Sequence, residues 1–328
     1  MKKLIFYKIN NKKDINISFF NNKYLYIKNK IKENIFISYK YILKKNKYVF
    51  NIKKKSKGKK PIRLIINFIY FNYVNILINK KKIIFIIDKN LNITIKENYI
   101  LKDIYNFFFN FFNIVIIIKD KSKVFYLKYK NFTINNINYY YIYQKKNSIL
   151  FLYDVNLYEN ISYNKIIIYN IEKYTSNYVY GTYILNKNQK IKNKIIIHDY
   201  KNNCKNIQNY IGIYNGKSNI YLKGLIKLFS NTIKNKSYQN YKNYILSNKV
   251  KLNFKPYLNI NTNNVKCSHG FNLGEIDNNI IYYLQTRKIN LLKAKYLFFL
   301  STIFINLKIK NKFNFIKKKI KKKLITIL

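Results

Sequence analysis

The chain has 328 residues and a formal net charge of +52, and 48% of its residues are hydrophobic. That hydrophobic content is ample for a core at this length, so the composition excludes an intrinsically disordered protein. The 2 cysteines, Cys204 and Cys267, lie far apart in the sequence. They offer no disulfide framework and no zinc knuckle, which favours a reducing compartment.

Lysine supplies almost all of the positive charge, since Arg63 and Arg287 are the only arginines. The chain consists largely of Lys, Asn, Ile, Tyr and Phe, whose codons contain mostly A and T. We interpret this bias as mutational drift in an AT-rich, reduced genome. Basic grooves that bind nucleic acid usually contain arginine, whose planar fork grips phosphate or guanine at two points. The charge alone therefore does not predict a nucleic-acid partner.

The most apolar stretches, residues 107–118 and 296–307, are shorter than the roughly 18 to 20 residues that cross a bilayer. Asn113 and Asn306 also interrupt them. The N-terminal segment MKKLIFYKINNKKD has too short an apolar run for a signal peptide, and no small-residue cleavage site follows it. We expect no membrane partner. We also expect the protein to be made inside the organelle in which it works.

In chain order, residues 1–115 alternate short apolar runs with Lys and Asn clusters and form a divergent N-terminal region without a chemical motif. Over residues 116–277 the pattern becomes that of β-strands, with short runs rich in Ile, Val and Tyr that close on Asn, Asp, Gly or Lys. The clearest runs are IVIIIKD, KVFYLKYK, SILFLYDV, KIIIYNIE, NYVYGTYIL, NKIIIHDY, NYIGIYN and SNIYLKGLIKLF. Many short strands without amphipathic helices between them predict a mainly β core, built as a barrel, a sandwich or a stacked β-solenoid.

Glycine is rare in this chain, and Gly212, Gly216 and Gly224 fall close together near the end of the strand region. The simplest interpretation is turn geometry, because glycine adopts positive φ without a steric penalty.

After Asp277 the pattern becomes helical. Ile280, Ile281 and Leu284 predict one amphipathic helix, and the apolar positions of residues 291–298 predict a second. Asp277 and Asn290 are suitable N-caps for these helices. We therefore expect a small helical segment over residues 278–328.

Cys267 and His269 form the sharpest chemical pair in the sequence. In an extended strand, residues two apart project from the same face, roughly 6.5 to 7 Å apart. That spacing is awkward for chelating one zinc ion but suits ligands that bind different atoms of a cluster. Packing of a buried cysteine is the alternative interpretation of the motif alone.

The most specific pattern in the chain surrounds this pair: KCSHG is followed by LGEID and then by IYYLQTR, over residues 266–287. Upstream lie YNGKS at 214–218, NIYLKGLIKLF at 219–229 and FKPYL at 254–258. In this order, over about residues 193–294, the segments resemble the signature of the SufB/SufD family of iron-sulfur cluster assembly scaffolds.

This resemblance implies a right-handed parallel β-helix with a C-terminal helical domain, in agreement with the strand and helix patterns. It implies a scaffold rather than an enzyme, which pairs with a second SufB/SufD-type subunit, a SufC-type ATPase docked on the C-terminal helices, and a sulfur donor of desulfurase or SufE type. A transient iron-sulfur cluster would form between the two scaffolds, with Cys267 and His269 as ligands and Glu275 as a weaker third. The chain has no GxxxxGK[ST] motif, so ATP chemistry would reside in the partner.

The resemblance points to two paralogues. KGLIKLF resembles SufB, which many plastid genomes retain, whereas CSHG resembles SufD. In SufB a cysteine ends the segment YTQC, but Tyr241 stands there in this chain, and the last glutamate of the SufB EHE motif falls on Gly270. We favour a plastid-encoded, apicoplast-type SufB. A structural subunit that binds no cluster is the alternative within the family.

Two further assignments stay open at this stage. SufB subunits receive sulfur on a core cysteine, which makes Cys204, in HDYKNNCKNIQ, a weak candidate for a sulfur relay. The competing functional class is an organellar RNA-binding or ribosomal protein, motivated by the charge and by 35 Tyr able to stack on bases. Because those tyrosines lie beside Ile in strand-like runs, we expect them in the core and a nucleic-acid partner to be absent.

Overall fold

The computed structural model describes residues 5–8, 14–20, 24–29, 35–42, 47–54, 62–70, 81–101, 109–129, 135–307 and 314–328. These residues form two 10-stranded sheets and three helices. In spatial order, the first sheet contains β1 (Ile5–Lys8), β4 (Ile35–Ile42), β5 (Lys47–Lys54), β7 (Lys81–Ile87), β9 (Phe109–Ile118), β11 (Asn135–Gln144), β13 (Ile161–Asn170), β15 (Lys190–Asp199), β17 (Asn219–Leu228) and β19 (Lys251–Ile260).

The strands of the second sheet also follow one another in chain order, from the most C-terminal strand at one edge back to the N-terminal strands at the other. It contains β20 (Val265–Gly274), β18 (Asn235–Ile245), β16 (Lys205–Tyr214), β14 (Ser176–Leu185), β12 (Ile149–Asn156), β10 (Lys123–Tyr129), β8 (Asn92–Leu101), β6 (Ile62–Tyr70), β2 (Asp14–Phe20) and β3 (Tyr24–Asn29).

From β5 onwards the strands alternate between the two sheets, so each coil of the chain contributes one strand to each sheet. Lys123 of β10 pairs with Ile149 of β12, 26 positions later, and Asn219 of β17 pairs with Lys251 of β19, 32 positions later. All pairings in this region are parallel. The fold is therefore a β-solenoid, and the predicted mainly β core with C-terminal helices is confirmed.

Aliphatic side chains stack from coil to coil inside the solenoid. One column of register partners runs across the first sheet, is almost completely buried and consists of Ile116, Ile142, Ile168, Ile197 and Ile226. β-branched side chains suit this environment because they pack well on a pleated surface. Each coil thus buries its isoleucine only when the neighbouring coil is in place.

Buried asparagines form a second kind of column. Asn138 Nδ2 donates to Asn164 Oδ1 at 3.1 Å, and Asn164 Nδ2 donates to Asn193 Oδ1 at 2.8 Å. An amide can donate to one neighbour and accept from the other, so such a ladder satisfies polar atoms that would otherwise be costly to bury. The first member lies on β11, a strand that the hydrophobic runs did not predict.

The glycines were predicted correctly at one position of three. Gly216 has a φ of 64° and lies in a turn, as predicted. Gly212 and Gly224 lie inside strands, so the turn interpretation is wrong for them. A Cβ atom on Gly224 would stand 1.7 Å from the hydroxyl oxygen of Tyr241. The space left by the missing side chain is filled by a tyrosine of the opposite sheet.

The strands do not begin at residue 116. β9 crosses that position, and the parallel pairing continues through β7 to β5 in the first sheet and through β8 to β2 in the second. The divergent N-terminal region, residues 1–115, therefore contributes strands to the same two sheets.

Three helices follow the last strand: α1 (Asn278–Thr286), α2 (Leu291–Leu307) and α3 (Asn314–Ile325). Asp277 accepts from the backbone N–H of Asn279 at 2.9 Å, and Asn290 accepts from that of Lys293 at 2.9 Å. Both predicted N-caps and both predicted helices are confirmed. In the described part of the chain, no helix is long and apolar enough to cross a membrane.

Helices α2 and α3 cover part of the outer face of the second sheet. The two helices contribute buried residues to one cluster with outward-facing residues of β10, β12, β14 and β16, namely Phe299, Ile303, Leu307, Ile316, Ile320 and Leu324. The helices thus fold back along the solenoid, away from β20.

Candidate functional site at the open end of the solenoid

Cys267 and His269 both lie on β20, the outermost strand of the second sheet. Its only sheet neighbour among the described strands is β18, on which Ser237 pairs with Cys267 and Gln239 pairs with His269. β19 is the outermost strand of the first sheet. We call this end of the solenoid, formed by β19 and β20, the open end.

The inward face of β20 carries both predicted ligands. Val265 and Cys267 pack against the solenoid core, and the ring of Phe271 lies 5.4 Å from that of Phe254, an inward residue of β19. Since the register is continuous along β20, His269 projects from the same face, between Cys267 and Phe271. β20 is extended over both positions, as the predicted same-face arrangement of Cys267 and His269 requires.

This inward face is unusually exposed. Phe271 is 45% exposed and Leu273 is 50% exposed, although their register partners Tyr241 and Asn243 are buried. The difference arises because no further coil of the described chain covers β20. The two candidate ligands therefore face a surface that a second molecule can reach.

The Cys267 thiol is half-buried. Burial raises the pKa of this thiol, hydrogen bonding to Ser237 lowers it, and the Asp199 carboxyl raises it. The net effect is a raised pKa, so the free thiol is mostly protonated at neutral pH and must lose its proton to bind iron.

A buried polar cluster lies behind Ser237. Asn206 Nδ2 donates to Ser237 Oγ at 3.0 Å and to Asp199 Oδ2 at 2.7 Å. Asn170 and Asn235 also donate to the Asp199 carboxyl, at 2.5 and 3.1 Å. Burial raises the pKa of Asp199 to about 6, although these hydrogen bonds lower it.

Cys204 lies at the edge of that cluster, immediately before β16, and is 1% exposed. Thr175 Oγ1 lies 3.2 Å from its sulfur, and the backbone N–H of Cys204 donates to Asn235 Oδ1 at 3.0 Å. Burial raises the pKa of the Cys204 thiol to about 12, and Asp199 contributes to the rise. A thiol with that pKa is a weak nucleophile at neutral pH. The sulfur-relay role stays a prediction.

Glu275 and His198 lie elsewhere. Glu275 is exposed just beyond the end of β20, eight positions after Cys267, and an extended strand makes that separation roughly 26 Å. Within one chain, Glu275 and Cys267 are too far apart to bind one cluster. His198 stacks at 5.4 Å on Tyr169 and contacts Tyr200 and Phe229, as expected of a structural histidine.

The two glutamines in register with His269 were not predicted from the sequence. Gln208 on β16 and Gln239 on β18 form one inward column with His269, and both glutamines are buried. Polar residues do alternate along β18 in the sequence. A strand with one solvent-exposed face would show the same alternation, so the pattern does not identify a buried glutamine. The missing SufB cysteine falls on Tyr241, whose side chain is fully buried in the core. In the described ranges, no group of three His, Cys, Asp or Glu residues could hold a metal ion.

Comparison with known families agrees with the solenoid and its C-terminal helices. Residues 75–301 match the family described as SUF system FeS cluster assembly, SufBD core domain. The match covers more than half of the chain and includes the open end with Cys267 and His269. The chain belongs to the SufBD family. The predicted resemblance is therefore confirmed for the family, whose description names iron-sulfur cluster assembly by the SUF system.

Two SufBD relatives share shorter segments with the chain. It is 31% identical over 104 residues to the iron-sulfur cluster assembly protein SufD of Escherichia coli (strain K12), which covers 32% of this chain and 25% of that protein. It is 39% identical over 56 residues to an iron-sulfur cluster assembly SufBD family protein of Synechocystis sp., which covers 17% of this chain and 12% of that protein. The chain therefore matches well under two thirds of the length of these relatives.

Proposed function

We propose that this SufBD protein is a scaffold subunit of a SufBCD-type complex, which receives sulfur and iron from partners and builds a cluster against a second scaffold. The observation that supports the proposal most directly is the pair Cys267 and His269 on one face of the outermost strand of the SufBD core. Both sit where another subunit can approach, because β20 has an unpaired edge among the described strands.

The ligand chemistry fits an iron-sulfur cluster. A cysteine thiolate and a neutral imidazole both donate to iron, and a cluster bound at a subunit junction takes its remaining ligands from the other side. Iron and sulfide are the substrates that the scaffold assembles. The raised pKa of Cys267 means that binding releases a proton, so assembly is favoured at higher pH.

The C-terminal helices offer a second contact surface. Tyr282 is 70% exposed, Leu292 is 60% exposed and Ile305 is 74% exposed. Exposed large apolar side chains on adjacent helices are typical of a protein-protein interface. We assign this surface to a SufC-type ATPase, which would supply the ATP chemistry for which this chain has no P-loop motif.

We retain Cys204 as a weaker candidate for sulfur entry from a desulfurase or a SufE-type donor, a role that would require its buried thiol to become exposed and to lose its proton. In support, the hydrogen-bonded residues Asn235, Asp199, Asn206 and Ser237 connect the surroundings of Cys204 with the strand position beside Cys267. We keep the apicoplast-type SufB as the proposed paralogue on the resemblance of KGLIKLF, residues 223–229, to SufB.

The test is anaerobic co-expression with a SufC-type ATPase and a second SufB/SufD-type scaffold, followed by absorption spectra of the purified complex. Clusters should give a charge-transfer band in the visible region, and Cys267→Ser should abolish it while the three proteins still co-purify. A complex of Cys267→Ser that keeps its full band would refute the ligand assignment.

Cys204→Ser is the matched control, because it removes the other thiol of the chain. It should form cluster normally from added iron and sulfide, but should fail when sulfur comes from a desulfurase. A colourless complex of the unaltered chain would indicate a structural subunit. Failure to bind either partner, together with tight salt-sensitive binding to RNA, would indicate the competing class.

A further inference from the structure

Gln239 occupies the position directly beneath His269. The two residues are register partners on β18 and β20, and Gln208 on β16 continues the same inward column on the other side of Gln239. Gln239 is 2% exposed, whereas His269 is exposed. A buried amide thus stands between the solenoid interior and the candidate imidazole ligand.

The side-chain amide of Gln239 faces that of Gln208. Its Nε2 donates to Gln208 Oε1 at 3.2 Å, and the Tyr241 hydroxyl donates to the same oxygen at 3.0 Å. Its Oε1 is buried and has no hydrogen-bond partner in the described part of the chain. Gln208 and His269 lie on opposite sides of β18, so an amide that directs Nε2 towards Gln208 leaves its Oε1 available to the His269 side.

An unpaired buried carbonyl oxygen is costly, and a donor within reach removes that cost. A neutral imidazole has one N–H and one nitrogen with a free lone pair. If the N–H donates to Gln239 Oε1, the ring is held in one tautomer and the other nitrogen is presented for coordination. Histidine ligands of metal sites are usually fixed by such a second hydrogen bond.

We propose that Gln239 is a positioning residue that accepts the ring N–H of His269 and thereby fixes the tautomer and direction of the imidazole at the open end. The inference rests on the proposed function only for the purpose of the ring, since the hydrogen bond itself needs no iron and requires only that the imidazole turn its N–H towards the unpaired Gln239 Oε1. Gln239 is also placed to keep the ring from turning away while the second scaffold is absent.

The test uses the metal-free full chain, labelled with ¹⁵N only in histidine. The chain has 2 histidines, so His198→Phe, placed in an aromatic stack, leaves His269 as the only signal. At about pH 8, where an ordinary imidazole is neutral, a single tautomer gives two ring nitrogens with widely separated shifts. Gln239→Leu should narrow that separation towards the value of a tautomer mixture. An unchanged separation would overturn the proposal.

Two variants separate this effect from simple destabilisation. Gln239→Glu keeps an acceptor oxygen and should keep the separated shifts, whichever way the side chain turns. Gln144→Leu removes another fully buried glutamine, far from the open end on β11, and should leave the His269 shifts unchanged. Narrowed shifts in Gln144→Leu would show that the readout follows stability and would overturn the proposal.

A second readout tells failure of this proposal from failure of the proposed function. Cluster content after reconstitution with iron and sulfide should fall in Gln239→Leu and recover in Gln239→Glu. If the shifts narrow but cluster content is unaffected, Gln239 still positions the ring, and the assignment of His269 as a ligand is wrong. If the amide donates an N–H to the ring instead, Gln239→Glu will lose the separated shifts, which overturns the proposed orientation.

Discussion

Asp199 shows how a single buried carboxyl shapes the interior of the solenoid. Three asparagine side chains donate to it, yet burial raises its pKa from 3.8 to about 6. Desolvation therefore outweighs the hydrogen bonds at this position. The residue lies close enough to Cys204 and Cys267 to raise the pKa of both thiols.

This pKa predicts a pH dependence of stability with a definite sign. Between about pH 4 and pH 6 the folded chain keeps a proton that the unfolded chain has released, so the free energy of unfolding falls as pH rises. The cost of ionising Asp199 reaches about 3 kcal/mol above that window. As the pH rises through the same window, the free energy of unfolding of Asp199→Asn should therefore increase relative to that of the unaltered chain.

Urea unfolding of both chains at about pH 4 and about pH 7 measures this difference. Rearranged hydrogen bonds in Asp199→Asn shift its stability by a similar amount at both pH values, so the comparison isolates the titration. Parallel pH profiles of the two chains would contradict the raised pKa.

At the scale of elements, sequence patterns identified the strands that contain aliphatic runs and the helices that begin at Asp277 and Asn290. They missed β11, where Asn and Tyr replace the Ile and Val of its neighbours. Its Asn138 is buried with a partner because the next coil supplies an amide, Asn164, at the same register. That condition depends on coil length, which a single sequence does not reveal.

Helix α3 lies within the segment predicted to be helical, residues 278–328, but its bounds were not predicted, for a related reason. It is rich in lysine, and its apolar residues Ile316, Ile320 and Leu324 are buried through their contact with the second sheet. The candidate site divides in the same way. The spacing of Cys267 and His269 predicted a shared face, whereas Gln239 became visible only through strand pairing across 30 residues.

The outer face of the first sheet carries an unfavourable row of charges. Lys165, Lys194, Lys223 and Lys255 are consecutive register partners on β13, β15, β17 and β19. Adjacent strands lie roughly 4.8 Å apart, and like charges directly opposite one another destabilise a sheet. The row agrees with the mutational bias towards lysine inferred from composition, since repulsion along the row does not stabilise the sheet.

Replacing the second lysine of that row should relieve the repulsion. Lys194→Glu places a carboxylate between Lys165 and Lys223, so we expect it to exceed Lys194→Gln in stability. The gain should be below about 1 kcal/mol, because these side chains are partly exposed to solvent. Thermal unfolding at low salt measures it. The advantage should shrink at about 1 M salt, where screening acts within roughly 3 Å; a salt-independent advantage would contradict the electrostatic cause.

At the scale of the whole molecule, a solenoid buries each coil against the next, so its last coil is incomplete without a cover. Here the last coil consists of β19 and β20, and among the described strands the outer edge of each is unpaired. Its exposed apolar residues are Phe271, Leu273, Tyr257 and Ile260. Natural proteins protect such edges, because exposed apolar edges promote association. The exposed candidate ligands and the exposed apolar residues thus share one end of the solenoid, so under the proposed function one partner would cover both.

The purified chain should therefore self-associate through the open end when no second scaffold is present. Phe271→Lys combined with Leu273→Lys should give a monomer at concentrations where the unaltered chain forms dimers, as measured by sedimentation velocity. The cost in stability should be small, because both side chains are already about half exposed. Leu292→Lys combined with Ile305→Lys is the matched control on the helices and should leave the dimer intact. Dissociation by the control pair alone would move the interface to the helices and leave the open end without a demonstrated contact.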